Sequence, residues 1–131
     1  MREILFRGKT KQGEWIEGFL FNSQLCRIFW ATAFKKEEDN IFYCEGKDVI
    51  PETIGQFTGL TDKNGNKIFE GDIIKFSHPA YEETTIGFVG WEENEVGFVL
   101  RTKNDYDIIG YSSEFYEVIG NIYDNPELLG E

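Results

Sequence analysis

Between turn signals, most apolar runs of the chain are short, β-branched or aromatic, and alternating, the pattern of half-buried strands. The 3.6-residue period of an amphipathic helix is scarce. Ile4 and Phe6 lead into a polar stretch at 8–13, and an aromatic run at 15–21 follows it, which predicts an N-terminal hairpin. Residues 27–34 predict a further strand ended by the charged stretch 35–40, and 41–44 predict a short strand followed by a turn at 45–48. Residues 49–54 cannot form a central strand, because Pro51 has no amide to give to a ladder. They read as a crossing segment or a single helical turn between two halves.

From Gly55 onward the punctuation is tighter. Residues 55–60 predict a strand running into a turn at Asn64-Gly65, with 67–69 as its return. Both turn residues tolerate the positive φ of a type I′ hairpin. Residues 73–76, 85–91, 96–101 and 115–122 predict strands, the middle two paired across the acidic turn 92–95. Asn125 and Pro126 predict a capped helical turn. Short strands of this kind suit a small SH3-like barrel, with Gly87, Gly90, Gly97 and Gly120 at its bends and bulges. The expected fold is therefore mainly β. An N-terminal β-hairpin or small sheet region covers 1–54, a C-terminal SH3-like small barrel covers 55–131, and helical structure is limited to short turns.

Composition agrees with a self-supporting core: 131 residues, 40% hydrophobic and 16% aromatic, are too apolar for disorder. No apolar run approaches the ~20 residues of a membrane helix, and the charged opening Met1-Arg2-Glu3 lacks the apolar stretch of a secretory signal. A net charge of −11 argues against a general grip on phosphate backbones. That charge is uneven: residues 1–65 carry 9 basic and 10 acidic side chains, and residues 66–131 carry 4 and 14.

Candidate chemistry is sparse. Cys26 and Cys44 form no C-x-x-C unit, and with His78 they make three candidate zinc ligands where a structural site needs four. His78, in Ser77-His78-Pro79, reads as a solvent-facing loop residue, and no serine lies in a nucleophile motif. Neither phosphate-loop pattern occurs among the 14 glycines. The loop starting at Asp62 places oxygen ligands at alternate positions, as a calcium loop does. Its sixth position is Lys67 rather than Gly, however, and its twelfth is Ile73 rather than Glu, so it is a turn. Glu92 and Glu93 lie on a turn where nothing buries one beside the other. No catalytic residue, metal ligand or cofactor site is expected.

Three stretches are distinctive together: residues 49–60, from Val49-Ile50-Pro51-Glu52 to Thr58-Gly59-Leu60; residues 62–74, from Asp62-Lys63-Asn64-Gly65 to Gly71-Asp72-Ile73-Ile74; and residues 116–129, from Tyr116-Glu117-Val118-Ile119-Gly120 to Asn125-Pro126-Glu127-Leu128-Leu129. With the opening Arg2-Glu3-Ile4-Leu5-Phe6-Arg7, they resemble the YopX family of phage and prophage proteins over essentially the whole chain. After Arg7 the family often continues with a small residue, an aromatic and an acid, whereas Gly8-Lys9-Thr10 stands here. The resemblance implies a mainly β protein with an SH3-like barrel in its second half, encoded by phage or prophage and placed in the cytoplasm of a bacterial host. It carries over no activity and no catalytic residue.

The function expected is that of a non-enzymatic accessory protein that binds another macromolecule. Glu92, Glu93, Glu95, Asp105, Asp107 and Trp91 are the candidate partner-binding residues, and their charge favours a basic protein partner. Of the other two tryptophans, Trp15 and Trp30, core positions are the plainer expectation. One alternative is an acidic decoy that imitates nucleic acid and occupies a basic host protein. A further one is weak nucleic-acid binding by the first half through Lys9, Lys11, Lys35 and Lys36. Nucleic acid and membranes are not expected partners; edge strands and aromatic surfaces leave room for a homo-oligomer.

Overall fold

The computed structural model describes residues 3–21, 26–34, 42–110 and 112–130, without the side chains of 31–34 and 42–44. The charged stretch 35–40, with Lys35 and Lys36, and the Cys44 side chain lie outside the described residues. The chain forms two compact units, Met1–Gln56 and Phe57–Glu131.

The first unit is an antiparallel meander of β1 (Phe6–Lys9), β2 (Trp15–Leu20), β3 (Arg27–Phe34) and β4 (Phe42–Asp48). On the other side of β1, Gly55 and Gln56 at the start of β5 (Gly55–Thr61) pair with Arg7 and Phe6. The alternation in β2 works as read: Ile16 and Gly18 face inward, while Glu17 and Phe19 face out, Phe19 being 61% exposed. Gly18 is required by close approach, since a Cβ there would lie 2.0 Å from the Phe29 carbonyl oxygen. Ile16, Ile28 and Val49 form the core, with Phe6, Leu20, Trp30 and Ile54 packed on it. The turn expected at 45–48 is strand: β4 continues to Asp48, opposite Arg27, and a register shift between Ala31 and Ala33 takes up the irregularity. The crossing segment is a single 3₁₀ turn, Pro51–Thr53. The buried Thr53 hydroxyl donates to the Ile50 carbonyl at 2.6 Å and accepts the Lys9 amide at 2.9 Å, so the turn is fastened to β1.

In the second unit, the rest of β5 pairs with β6 (Lys67–Phe69). A five-stranded antiparallel sheet follows, in the order β10 (Tyr106–Ile108), β9 (Gly97–Arg101), β8 (Thr85–Glu92), β7 (Asp72–Phe76) and β11 (Tyr116–Asn121). Among the described residues its ladders end at β10 and β11, and helical structure is confined to the 3₁₀ turns Pro51–Thr53, Ser113–Phe115 and Pro126–Leu129. The chain is mainly β. Ile68, Ile74, Val89, Leu100 and Tyr116 form its core, flanked by Phe76, Phe98, Ile109 and Val118. β10 has only three residues and no alternation long enough to signal a strand in the sequence.

Two local expectations are corrected. In the hairpin at Asn64-Gly65, Gly65 has φ +83° whereas Asn64 is not left-handed. The Gly65 amide donates to the Asp62 carbonyl at 3.0 Å and the Asp62 amide to the Asn66 carbonyl at 2.8 Å, a three-residue loop with glycine at its left-handed position rather than a type I′ turn. Asn125 does begin the last 3₁₀ turn, but its side chain makes no cap; its Oδ1 accepts the Asn121 amide at 3.2 Å instead. Of the four glycines read as bends, Gly120 borders the bulge in β11, while Gly87 and Gly90 make room for Arg101.

Candidate binding site

The acidic residues singled out in the sequence divide into two groups. Glu92, at the end of β8, is engaged inside the unit. Its Oε1 accepts Arg101 Nη2 at 3.0 Å and its Oε2 accepts the Asn94 amide at 3.1 Å. The Asn94 amide first, and then Arg101, hold its carboxyl below the ordinary glutamate range against a weaker opposing effect of burial. Arg101 also donates to the Trp91 carbonyl at 2.8 Å, and its guanidinium lies 5.9 Å from the Tyr106 ring centre. Glu95 accepts the Tyr106 hydroxyl at 3.1 Å, which raises the phenol above its ordinary value, with desolvation adding to the effect. Asp105 caps its own turn: its Oδ1 accepts the Tyr106 amide at 2.8 Å and its carbonyl accepts the Thr102 amide at 2.8 Å. Glu93 is exposed in the turn, where its carbonyl accepts the Val96 amide. Trp91 is 46% exposed and meets Phe98 edge-on at 5.2 Å.

Asp107 belongs elsewhere. It sits exposed on β10, opposite Leu100, and lines a groove of about 580 Å³. The groove is bounded by β10 on one side and the 80–83 loop on the other, with Phe76, Leu100 and Tyr116 among its apolar lining. Phe76 and Tyr116 pack ring to ring at 5.2 Å, and Tyr81 tilts over Phe76 at 6.3 Å. Among the described residues of this lining the charged ones are Glu82, Glu83 and Asp107, with no Lys or Arg. A second hollow of about 400 Å³ shares Tyr81 and Glu83 with the first and is lined also by His78 and Phe115.

His78 is therefore not the solvent-facing residue the sequence suggested. It is half-buried, its ring centre lies 4.4 Å from that of Phe115, and its Nδ1 accepts the Ala80 amide at 2.9 Å. That bond ties Ser77-His78-Pro79-Ala80 into a compact turn and sets Tyr81 beside Phe76. The sequence signal was present: an aromatic next to paired acids, Tyr81-Glu82-Glu83, directly after a His-Pro turn.

Other residues serve the fold. Asp62, the would-be calcium ligand, is 2% exposed and occupied by protein donors: the Asn64 and Asn66 amides on Oδ1 and the Val118 amide on Oδ2, each at 2.9 Å. Among the described residues no group of His, Cys, Asp and Glu could hold a metal ion. In the first unit Trp15 is half-buried against Arg7, whose guanidinium lies 4.8 Å from its ring, and Trp30 packs on the core. Lys47 and Arg27 are paired with Glu14 and Asp48, at 2.7 and 2.9 Å. Among the described residues no helix is long and apolar enough to cross a membrane.

The comparison with protein families matches the YopX protein family over residues 5–130. The chain belongs to the YopX family. This YopX chain is also similar to a solved structure, the crystal structure of protein EF1440 from Enterococcus faecalis, at 25% identity and a TM-score of 0.62. The likeness covers 98% of this chain and 99% of that one. No match was found among curated proteins.

Proposed function

We propose that this YopX protein is a non-enzymatic accessory protein of phage or prophage that works by binding a basic protein partner through its second unit. Residues 57–131 carry 15 acidic side chains against 5 basic ones, a field that draws in a cationic partner and repels nucleic acid and anionic lipid surfaces. The observation that carries the reading is the placement of Glu82, Glu83 and Asp107 around one aromatic groove with no basic side chain among the described residues that line it. Binding sites are commonly concave and mainly apolar, with a few polar groups that fix orientation, and this groove has that make-up.

A decoy imitating a nucleic-acid backbone needs a row of carboxylates directed outward. Glu92 and Glu95 instead face Arg101 and Tyr106, and this favours the groove over the decoy. Capture from a bacterial lysate on the immobilised full chain tests the proposal. Basic proteins that elute as salt rises from about 0.05 to 0.5 M, beyond the range where exposed charges act unscreened, support it. A captured set that is neutral or acidic, or indifferent to salt, contradicts it.

A further inference from the structure

Two features of the second unit define a more specific ligand. The first is aromatic: Phe76, Tyr81 and Tyr116 line the larger hollow, His78 and Phe115 the smaller, and Tyr81, 54% exposed, stands between the two. Aromatic faces attract cations, and arginine most readily, because a guanidinium can stack flat on a ring. The second is electrostatic. Glu83 borders both hollows and Asp107 the larger one, and among the described residues neither has an ion pair or a side-chain hydrogen bond. Their charge is thus available in a way that the Arg101-bound charge of Glu92 is not. An apolar ligand would leave these carboxylates desolvated without compensation, and an anionic one would be repelled.

We propose that the groove takes arginine or lysine side chains from an extended basic segment of the partner protein: one cation stacks on Tyr81 and pairs with Asp107 and Glu83, and a second, two residues along, enters the hollow beside His78. Alternate residues of an extended chain lie about 7 Å apart on one face, and the two hollows share a wall made by Tyr81 and Glu83. The proposal rests on the reading that the second unit takes a basic protein partner.

Fluorescence anisotropy with the full chain and a labelled heptapeptide of alternating glycine and arginine tests it. A counterpart with citrulline, the neutral isostere, in place of arginine serves as control. The arginine peptide is expected to bind at least ten-fold more tightly than the citrulline one at low salt. Tyr81→Ala is expected to weaken it about five-fold, and the Glu83→Gln/Asp107→Asn double variant by about the same factor. Glu93→Gln, the loss of one charge on the exposed turn, is expected to change it less than two-fold. Arginine-selective binding left intact by the groove variants overturns the groove assignment while the basic-partner reading stands. Equal binding of the citrulline peptide overturns the cation as ligand, and no binding of either peptide overturns both readings.

Discussion

Asp62 holds the β5–β6 loop to β11, and replacing it shows how much that junction contributes. The carboxylate is buried at 2% exposure and accepts three backbone amides at 2.9 Å, with Asn66 Nδ2 as a longer fourth donor at 3.4 Å. Burial alone would raise its titration. The amides of Val118, Asn66 and Asn64 outweigh that and hold the carboxyl below its ordinary range. In Asp62→Asn the remaining carbonyl can keep the two loop amides, while its NH₂ faces the Val118 N–H, donor against donor. One charge-assisted bond is lost and one half-buried amide is left without an acceptor, about 2–3 kcal/mol. Asp62→Ala removes every acceptor and costs about 3–5 kcal/mol, tempered by water reaching the exposed Asn64 and Asn66 amides. Both are large against the ~5–15 kcal/mol of a typical domain. Because the folded carboxylate titrates below the unfolded one, its contribution is complete above about pH 5 and is lost as the pH falls through the lowered folded value. Urea unfolding followed by circular dichroism at neutral and acidic pH measures this directly. The gap between wild type and Asp62→Asn should be widest near neutrality and shrink on acidification. A gap below about 0.5 kcal/mol at pH 7, or one that grows as the pH falls, refutes the reasoning.

Thr53→Val keeps the shape of the 3₁₀ turn but strips the acceptor from the Lys9 amide, and urea titration should show a loss of about 2 kcal/mol. Val96, at φ +49° and 77% exposed, holds a β-branched side chain in the left-handed region, so Val96→Asn should raise stability by about 1 kcal/mol in the same assay. Arg101→Met removes the second of the two donors on Glu92; a carbon-detected NMR titration should show that carboxyl moving up toward its ordinary value, with the Asn94 amide still holding it partly down. Glu95→Ala removes the acceptor that is the main cause of the raised Tyr106 phenol, so absorbance at alkaline pH should show that ring ionising earlier.

The strand pattern was legible wherever turns are chemically marked. Pro51 ended one element, Gly65 supplied a left-handed corner, and β8 and β9 pair across their acidic turn as their apolar runs indicate. What escaped was set by tertiary contact. β10 has three residues and becomes a strand only because Arg101, Leu100 and Val99 offer it a partner. Residues 45–48 look like a turn in isolation, yet β3 pairs them and Arg27 reaches the Gly46 carbonyl at 2.9 Å. At the candidate site the sequence supplied the sign of the charge and one residue of the groove, Asp107. It ranked Glu92 and Glu95 beside it because counting charges cannot show which carboxylates Arg101 and Tyr106 already occupy. The aromatic half was hidden because Phe76, Tyr81 and Tyr116, from 76 to 116 in the chain, meet only through the β7–β11 pairing and the His78 turn.

The central claim, that the second unit captures cations in its aromatic groove, is tested most directly by a ¹⁵N chemical-shift map of the full chain titrated with the alternating glycine–arginine heptapeptide. Shifts are expected to saturate together at the amides of Tyr81, Glu83, Asp107 and Ile108, with the 92–95 turn unmoved. Shifts centred on Glu92, Glu93 and Glu95, or spread evenly over the acidic surface without saturation, would contradict it.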